Sequence, residues 1–358
     1  MLTTLSINNV RNLTSLSVDV GPQFNIWVGP NGSGKTSILE AIHILNTGRS
    51  FRTRLVNRVI RHDDDQLRVF GKLMHNDQEM ALGVERQRSG DTRIRLNQET
   101  MKSHVEITRM MPLLVICPDS HRLLSAGPKY RRQFIDWGMF HVEQLFYTHW
   151  QRAQRAIKQR NAALKQHAKP VDIALWDREL ISAAEILNEM RQRYLEALKP
   201  VFVNINPKLL PDYEINLYYQ PGWNLEEGLA NVLEASLQRD YQQGYTQYGP
   251  HRADLWIRYH KTPVQDVLSQ GQQKLTIYAL RLAQGQLLKT LTDKSCLFLI
   301  DDLPAELDMN KRSLVADALL ELESQVFITG AEESELRDLI GVSSSKLFHV
   351  EHVLVPSS

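Results

Sequence analysis

The stretch Phe24–Ala41, FNIWVGPNGSGKTSILEA, joins a run typical of a buried strand, a glycine-rich turn and the start of a helix without interruption. Its centre, from Gly29 to Thr36, fits the phosphate-loop pattern G-x-x-x-x-G-K-[ST]. Glycines allow consecutive backbone N–H groups to face phosphate oxygens, and the following helix N-terminus adds the positive end of its dipole. Phe24–Val28 is predicted to be a strand and Ser37–Leu45 a helix, which is the context that the motif needs. The stretch therefore predicts a site for nucleotide phosphates.

Two side chains of this loop have expected chemical roles. Lys35 is expected to reach the β- and γ-phosphates, and the hydroxyl of Thr36 is expected to bind Mg²⁺. The alternative is a plain glycine-rich turn, which would leave the Lys-Thr pair and both flanking elements unexplained. The residues of the loop predicted to contact nucleotide are Gly29, Pro30, Asn31, Gly32, Ser33, Gly34, Lys35, Thr36 and Ser37.

A second constellation lies far downstream, where the apolar run Ser295–Ile300 ends in Asp301-Asp302. This is the arrangement of a Walker B site, in which the first carboxylate, Asp301, holds Mg²⁺. The second carboxylate, Asp302, is then placed to orient or activate the water that attacks the γ-phosphate. In isolation, two adjacent carboxylates would indicate a turn at the end of a strand. With the phosphate loop upstream, they predict a site for ATP hydrolysis.

The pentad Leu268-Ser269-Gln270-Gly271-Gln272 resembles the L-S-G-G-Q signature of ABC-type ATPases. A serine and a glycine at a helix N-terminus present a hydroxyl, backbone N–H groups and a dipole to an anion. A predicted helix, Gln273–Leu288, follows the pentad and leads to the Walker B strand. The resemblance implies that two ATP molecules are sandwiched in a head-to-tail dimer. Ser269, as a catalytic residue, and Gly271 and Gln272 are then predicted to contact the nucleotide of the second subunit.

Length and composition limit the classes of protein that the chain can represent. The 358 residues indicate about two domains, and a hydrophobic content of 42% is enough for buried cores. The formal net charge is +1, so a nucleic-acid surface must be a local patch. Cys117 and Cys296 form no C-x-x-C pair, which argues against a disulfide or zinc scaffold. We find no signal peptide and no run of membrane-spanning length, so we expect a soluble, cytoplasmic protein without a membrane partner.

The hydrophobic pattern divides the chain into strand-rich and helical parts. Alternating residues predict a hairpin before the phosphate-loop strand and an antiparallel sheet after the first helix; the stretches are Leu5–Ile7, Leu16–Val20, Leu67–Met74, Met80–Arg86 and Thr92–Leu96. Met111–Cys117 predicts a buried strand. From Pro128 the pattern is helical, and Lys169-Pro170 is predicted to be the corner between two antiparallel helices.

The predicted fold class is α/β. We expect a P-loop ABC-type ATPase head with a mixed sheet, an added antiparallel sheet and an inserted helical lobe. The heptad-like spacing stops after a few turns, so no long coiled coil is expected. Residues 1–115 and 290–358 are predicted to form the ATP-binding lobe I. Residues 116–289 are predicted to form the helical lobe II, which ends in the signature.

A stretch without acidic residues runs from Gln144 to Val171. Solvated helices normally mix charge signs, so charge of one sign indicates contact with phosphates, although a solvated face is the open alternative. The residues predicted to contact DNA are Arg152, Arg155, Lys158, Arg160 and Lys165. Arg131 and Arg132 are the next candidates, with helix capping as the alternative.

The motifs, taken together, resemble the RecF family, bacterial DNA replication and repair ATPases related to the SMC heads. The resemblance runs nearly end to end and is carried by Val10-Arg11-Asn12, Gly48-Arg49-Ser50-Phe51-Arg52-Thr53, Gly127-Pro128 with Arg131-Arg132, Tyr248-Gly249-Pro250-His251-Arg252-Ala253-Asp254-Leu255, Ile300-Asp301-Asp302 and Glu306-Leu307-Asp308. It implies binding of ATP and Mg²⁺, an ATP-dependent homodimer, and binding to double-stranded DNA and to junctions of single- and double-stranded DNA. It also implies work with RecR and RecO in loading recombinase.

The resemblance also suggests roles for single residues. Arg11 and Asn12 are expected on the adenine side of the pocket, with an ordinary role in a turn as the open alternative. Asp308 is expected to contact nucleotide. Asp302 stands where most ABC proteins have a catalytic glutamate, and Thr329 follows the predicted strand Gln325–Ile328 where many have a switch histidine. Hydrolysis is therefore expected to be slow.

Two other classes of protein remain as alternatives. The ATP-driving subunit of a membrane transporter would have a shorter separation between Lys35 and Ser269 and would normally carry the switch histidine. A phosphate-loop kinase acting on a small molecule would leave the LSQGQ pentad without a purpose. His251 could serve as a catalytic base in such an enzyme, but its place beside Gly249-Pro250 equally indicates a role in shaping a turn.

Overall fold

The computed structural model describes residues 1–336, 339 and 344–351. The chain forms two compact units. Unit 1 comprises residues 1–120 together with the residues from 293 onward, and unit 2 comprises residues 121–292. The corresponding boundaries predicted from the sequence were 115/116 and 289/290, and residues 352–358 of predicted lobe I lie outside the described residues.

A parallel sheet carries the phosphate loop in unit 1. Its five strands lie in the order β14-β3-β13-β12-β8, and every neighbouring pair is parallel. The strands are β3 (Phe24–Val28), β8 (Leu113–Ile116), β12 (Leu297–Ile300), β13 (Gln325–Gly330) and β14 (Ser345–His349). Strands β3, β12 and β13 are apolar along most of their length and fully buried, as expected for strands covered on both faces. The buried strands predicted at the phosphate loop and before Asp301 are confirmed.

An antiparallel sheet forms the second layer of unit 1. Its order is β2-β1-β4-β5-β6-β7, so the hairpin at the start of the chain joins the later meander in one sheet. The strands are β1 (Leu2–Val10), β2 (Leu13–Asp19), β4 (Gln66–His75), β5 (Gln78–Gln87), β6 (Thr92–Leu96) and β7 (Glu99–Met101). The predicted antiparallel sheet is confirmed, whereas its union with the first hairpin was not predicted.

Helix α1 (Lys35–Thr47) packs against both sheets. Its apolar side chains share one buried core with Trp27 and Phe327 of the parallel sheet and with Leu5 and Val69 of the antiparallel sheet. A buried amide joins the layers as well, because Gln325 donates to the backbone carbonyls of Leu2 and Gly21. The helix that follows the phosphate loop is therefore held on both sides.

Three other helices of unit 1 lie wholly within the described residues. They are α2 (Val105–Met110), α9 (Leu303–Glu306) and α10 (Met309–Glu321). Of the helices that the structure describes, none is both long and apolar enough to span a lipid bilayer.

Unit 2 is mainly helical. Its helices are α3 (Arg122–Ser125), α4 (Pro128–Val142), α5 (Phe146–Lys165), α6 (Pro170–Leu209), α7 (Gly228–Gln243) and α8 (Gln270–Thr292). Helices α5 and α6 pack against each other, and α6 begins at Pro170, at the predicted corner. Helix α6 is 40 residues long, contains Pro200 and Pro207, and buries its apolar stripe against neighbouring helices. The predicted helical pair is confirmed.

Unit 2 also contains a three-stranded antiparallel sheet that the sequence analysis did not predict. Its order is β11-β10-β9, formed by β9 (Ile215–Gln220), β10 (Asp254–Tyr259) and β11 (Thr262–Pro263). All three strands are short, and β9 is separated from β10 and β11 by α7. Their pairing therefore leaves little local signal.

The structure corrects the prediction that Arg160 contacts DNA. Its side chain is fully buried and forms ion pairs with Asp177 at 2.5 Å and with Asp240 at 2.6 Å. Arg160 also donates to the hydroxyl of Thr246. Asp177 belongs to α6 and Asp240 to α7. Helix α5 has no acidic residues of its own, but neighbouring helices supply carboxylates to Arg160. Arg160 joins three helical segments inside unit 2.

Arg160 makes a clear prediction for stability. Arg160→Ala would leave the fully buried carboxylate of Asp240 without its cation, which costs about 3–5 kcal/mol for a broken buried ion pair. We expect the free energy of unfolding, measured by urea denaturation and circular dichroism, to fall by that amount. Lys158→Ala, on an exposed position of the same helix, should change it by less than about 0.5 kcal/mol. Equal effects of the two variants would contradict the structural role of Arg160.

Candidate active site

The functional side chains of unit 1 meet at one edge of the parallel sheet. Parallel strands bring their carboxyl ends to the same edge, where ligands bind in open α/β sheets. The phosphate loop follows β3, Asp301 and Asp302 follow β12, and Thr329 lies at the end of β13. Together with α1 they surround a cavity of about 360 Å³, lined by Arg11, Asn12, Asn31, Gly32, Gly34, Lys35, Thr36, Ser37, Arg52, Asp301, Asp302 and Thr329. The structure thus brings together the predicted phosphate loop and the predicted Walker B carboxylates.

The phosphate loop shows why glycine is needed at its first position. A Cβ atom on Gly29 would lie 2.2 Å from the carbonyl oxygen of Val350, which follows the neighbouring strand β14. Gly32 and Gly34 have φ angles of 81° and 112°, a region that favours glycine. The loop can therefore follow this path only with glycines at these positions.

Lys35 lies folded onto its own loop. Its ammonium group donates to the carbonyl oxygens of Gly29 at 2.6 Å and Pro30 at 2.9 Å. Burial lowers the pKa of Lys35, and the nearby carboxylates of Asp302 and Asp301 partly offset this effect. An anion close to Lys35 would relieve the cost of burying this charge.

A second group in the loop also fits an anion. The hydroxyl of Ser33 is buried and has no hydrogen-bond partner among the described residues. Buried polar groups without a partner are uncommon in folded proteins, and a bound oxyanion would accept a hydrogen bond from this hydroxyl. The buried lysine, the unpaired hydroxyl and the start of α1 therefore suit a phosphate group.

Asp301 organises the opposite wall of the cavity. One oxygen of its carboxylate, Oδ1, accepts hydrogen bonds from the hydroxyls of Thr36 and Thr329, both at 2.9 Å. Hydroxyl and carboxylate oxygens are the hard ligands that Mg²⁺ prefers, and Mg²⁺ sites commonly use one or two protein ligands together with substrate phosphates. The residues present therefore fit the predicted pair of metal ligands, Thr36 and Asp301.

Thr329 also fixes the neighbouring residue. Its hydroxyl accepts a hydrogen bond from the backbone N–H of Asp302 at 2.7 Å while it donates to Asp301. Asp302 has a φ angle of 56°, a left-handed conformation that is uncommon for an aspartate. The buried hydroxyl of Thr329 therefore holds both Asp301 and Asp302. From the sequence, Thr329 was notable only because many ABC proteins have the switch histidine at this position. We find this role for Thr329 only in the structure.

Arg11 and Asn12 both line the cavity, and each is tied to the protein. The guanidinium of Arg11 forms two hydrogen bonds, at 2.8 and 2.7 Å, with the fully buried carboxylate of Glu40. Asn12 donates to the carbonyl of Gly32 and accepts from the hydroxyl of Ser37. Glu40 was not predicted from the sequence, although it sits one turn into α1. Arg11 and Asn12 thus shape the wall of the cavity, and a contact of either with adenine stays a prediction.

Asp308 does not line this cavity. Its side chain caps α10, accepting from the backbone N–H of Lys311 at 3.0 Å and pairing with its ammonium group at 3.0 Å. The hydrogen bonds from Lys311 lower the pKa of Asp308. Any contact of Asp308 with nucleotide, as predicted, must come from outside this cavity.

The signature pentad lies at the start of α8 in unit 2. Ser269 precedes the helix, accepts from the backbone N–H of Gln272 at 3.4 Å, and donates its own N–H to the Gln272 side chain at 2.9 Å. This reciprocal pair is a capping box, which accounts locally for a serine and a glutamine at this spacing. Gly271 has no local explanation, because a Cβ atom there would meet nothing within 4 Å. Gly271 therefore leaves open space beside the first N–H groups of α8.

Several basic residues considered for DNA contacts are engaged in unit 2. Arg131 forms two hydrogen bonds with Asp254, and Arg132 donates to the carbonyl of Ala253. Arg152 forms a bidentate ion pair with Glu179. The predicted DNA residues that remain exposed are Arg155, Lys158 and Lys165.

His251 contacts the backbone of a turn, in agreement with the structural role given above as the alternative to catalysis. Its Nε2 lies 3.0 Å from the carbonyl oxygen of Thr246, and burial lowers its pKa to about 4. The ring is therefore neutral near pH 7.

Comparison with known proteins identifies the family. A family model described as the RecF/RecN/SMC N terminal domain matches residues 1–353. The curated DNA replication and repair protein RecF of Vibrio campbellii is 43% identical over 98% of both chains, and RecF of Coxiella burnetii strain CbuG_Q212 is 47% identical over 97% of both. The chain belongs to the RecF family. It shares with these relatives nearly its whole length.

Solved structures agree with this assignment to the RecF family. The chain is similar to the recombination mediator protein RecF-ATP in the RecFOR pathway, with 25% identity, a TM-score of 0.87, and coverage of 98% of this chain and 95% of that chain. An Smc head bound to the C-winged helix domain of ScpA shares the fold, with 16% identity, a TM-score of 0.62, and coverage of 97% of this chain and 93% of that chain. This RecF-family chain is therefore an ATPase-type head, as predicted from its phosphate loop and Walker B carboxylates.

The role of Thr329 in this RecF-family site can be tested by removing only its hydroxyl. Thr329→Val keeps the branched shape but deletes the bonds to Asp301 and Asp302. Loss of a hydrogen bond to a charged group costs about 1.5–3 kcal/mol, so we expect ATP hydrolysis to slow by about tenfold or more. Thr329→Ser retains the hydroxyl and should hydrolyse ATP at close to the wild-type rate. A valine variant as active as the serine variant would show that Thr329 does not position the carboxylates.

Proposed function

We propose that this chain is an ATP-dependent DNA-binding protein of recombinational repair and replication. The observation that supports this most strongly is the cavity in unit 1, where the phosphate loop faces Asp301 and Asp302 in a chain of the RecF family. In this proposal ATP lies along the loop, with Lys35 at its β- and γ-phosphates, while Thr36 and Asp301 hold Mg²⁺. Asp302 orients the attacking water, and slow hydrolysis resets the protein.

The proposed active form is a head-to-tail homodimer with two ATP molecules between its subunits. Gly271 supports this form, because its missing side chain leaves room beside the first N–H groups of α8. In the dimer, Ser269, Gly271 and Gln272 would approach the nucleotide of the second subunit, and Asp308 would act across the same interface. The capping box keeps the N-terminus of α8 ordered before that contact forms.

The proposed DNA surface lies on α5. Arg155, Lys158 and Lys165 are exposed, whereas Arg160 is buried and Arg152 is paired with Glu179. A few phosphate contacts give weak, salt-sensitive affinity on one subunit. When ATP holds two subunits together, the second surface meets the same duplex at a high effective concentration. We therefore propose that ATP controls DNA binding without touching DNA.

The proposed cellular role follows the RecF relatives. The dimer would clamp duplex DNA near single-strand gaps in the cytoplasm and help RecO and RecR to load recombinase. The sequence alternative of a transporter subunit is not favoured, since the matched relatives are curated as DNA replication and repair proteins. DNA binding by size-resolved protein with ATP, with ADP and without nucleotide tests the proposed function directly. Equal affinity in all three conditions would overturn it.

The two-subunit site predicts a specific defect. Ser269→Arg adds bulk and charge at the N-terminus of α8, so it should block ATP-induced association while each monomer still binds ATP. Static light scattering with and without ATP measures the association, and a fluorescent ATP analogue measures the binding. Ser269→Thr, which keeps the hydroxyl, is the control and should still dimerise. Dimerisation of the Ser269→Arg protein at wild-type concentrations would contradict the proposed two-subunit site.

The DNA surface predicts a change in salt dependence. Replacing Arg155, Lys158 and Lys165 by glutamine removes three charges, so the log–log slope of duplex affinity against salt should fall by up to about 3 per subunit. ATP binding and dimerisation should remain unchanged. Glutamine at Lys199, Lys208 and Lys261, which are exposed cations of the same unit, is the matched control. If both triple variants bind duplex DNA alike across a salt titration, the DNA surface lies elsewhere.

A further inference from the structure

Unit 1 contains a second cavity, of about 490 Å³, that shares no lining residue with the nucleotide cavity. Its apolar residues are Ile44 of α1, Leu67 of β4, and Val59 from the segment before β4. Its polar residues are Arg49, Ser50, Thr53, Arg54 and Arg86. A volume of this order is typical of pockets that bind small organic molecules.

Three arginines without a carboxylate set this cavity apart. Arg49 and Arg54 are exposed, and neither they nor Arg86 forms an ion pair with any residue that the structure describes. Some other arginines of unit 1 have acidic partners, as Arg68 has in Glu85 and Arg11 has in Glu40. Like charges that are left uncompensated destabilise a fold, so such a cluster indicates an anionic ligand.

Arg86 strengthens this interpretation because its position reduces the stability of the fold when no ligand is bound. It lies on the same face of β5 as the buried residues Leu82 and Val84. Its guanidinium donates to the carbonyl of Gly48, while its buried Nε has no hydrogen-bond partner. Burial and the neighbouring charge of Arg49 lower the pKa of Arg86. A buried donor without an acceptor costs about 1–3 kcal/mol, and an oxyanion in the cavity would remove that cost.

A histidine ring lies next to the arginines of this cavity. His104 packs against Gly48, and burial together with the charges of Arg86 and Arg49 lowers the pKa of His104 to about 4. The ring is therefore neutral near pH 7 and adds no charge of its own. Ser50 links this cavity to the nucleotide cavity, because its hydroxyl donates to Glu40, whose carboxylate also binds Arg11 and lies 3.8 Å from Arg52.

We propose that this cavity is a phosphate-binding site separate from the phosphate loop. Arg49, Arg54 and Arg86 bind the phosphate oxygens, and Thr53 offers its hydroxyl. The apolar floor of Ile44, Val59 and Leu67 accepts the carbon-rich part of a phosphorylated ligand. The phosphate belongs either to a soluble organic phosphate or to a nucleic-acid backbone, and these two sources share the same recognition chemistry.

A labelling experiment tests the site residue by residue. Phenylglyoxal modifies accessible arginines, and peptide mapping by mass spectrometry reports the rate at each one. Inorganic phosphate should slow modification of Arg49 and Arg54. It should not slow modification of Arg95, an exposed arginine that lies in the same antiparallel sheet as Arg86 but on the opposite face. Unchanged rates at Arg49 and Arg54 in saturating phosphate would overturn the proposal.

Binding measurements decide the source of the phosphate. In the Lys35→Ala protein, which lacks the loop cation, calorimetry with inorganic phosphate and with AMP should show saturable binding. Arg49→Gln with Arg54→Gln should weaken it by at least about tenfold, whereas Arg95→Gln should not. Displacement of bound phosphate by duplex DNA identifies the backbone as the source, and retention in excess duplex identifies a soluble phosphate. Absence of phosphate binding, or equal binding by all variants, would contradict the proposed site. This outcome does not depend on whether ATP drives DNA binding.

Discussion

The carboxylate of Asp301 is the constraint on which the nucleotide site depends. Its Oδ1 accepts two hydrogen bonds, from the hydroxyls of Thr36 on α1 and of Thr329 at the end of β13. Three segments that are distant in the chain are thereby fixed at one point of the sheet edge. A hydrogen bond to a charged group contributes about 1.5–3 kcal/mol, and two such bonds on one oxygen also fix its direction. The start of α1 after the phosphate loop and the backbone of Asp302 are both held at this point.

Glu40 plays a similar part on the other side of α1. It is fully buried, and its carboxylate binds Arg11, lies near Arg52 and accepts from Ser50. A buried carboxylate requires such partners, because an unpaired charge in this environment would be costly. The loop that follows α1 is consequently held to the helix that begins at the phosphate loop. Glu40 therefore connects Arg11 and Arg52, which line the nucleotide cavity, with Ser50, which lines the second cavity.

The sequence predicted those parts of the structure whose signal is local. The glycines around Lys35, the apolar run before Asp301 and the alternating strands each carry a periodic pattern or a fixed spacing. The roles of Thr329 and Glu40 were not predictable, since their partners are side chains that only the fold brings near. Arg160 shows the same limit: α5 has no acids of its own, but Asp177 and Asp240 reach it from other helices. Charge along one helix therefore does not reveal charge around it.

The strand order of the parallel sheet has a consequence for how the protein folds. Strand β3, which carries the phosphate loop, lies between β13 and β14, and both follow the helical unit in the chain. During synthesis the segment around β3 therefore leaves the ribosome long before its neighbours exist. Unit 2 is continuous in sequence and rich in local helical contacts, so it can fold first. Until β13 and β14 arrive, the hydrophobic strand β3 has no partner in the parallel sheet, and such an unpaired strand is prone to aggregation.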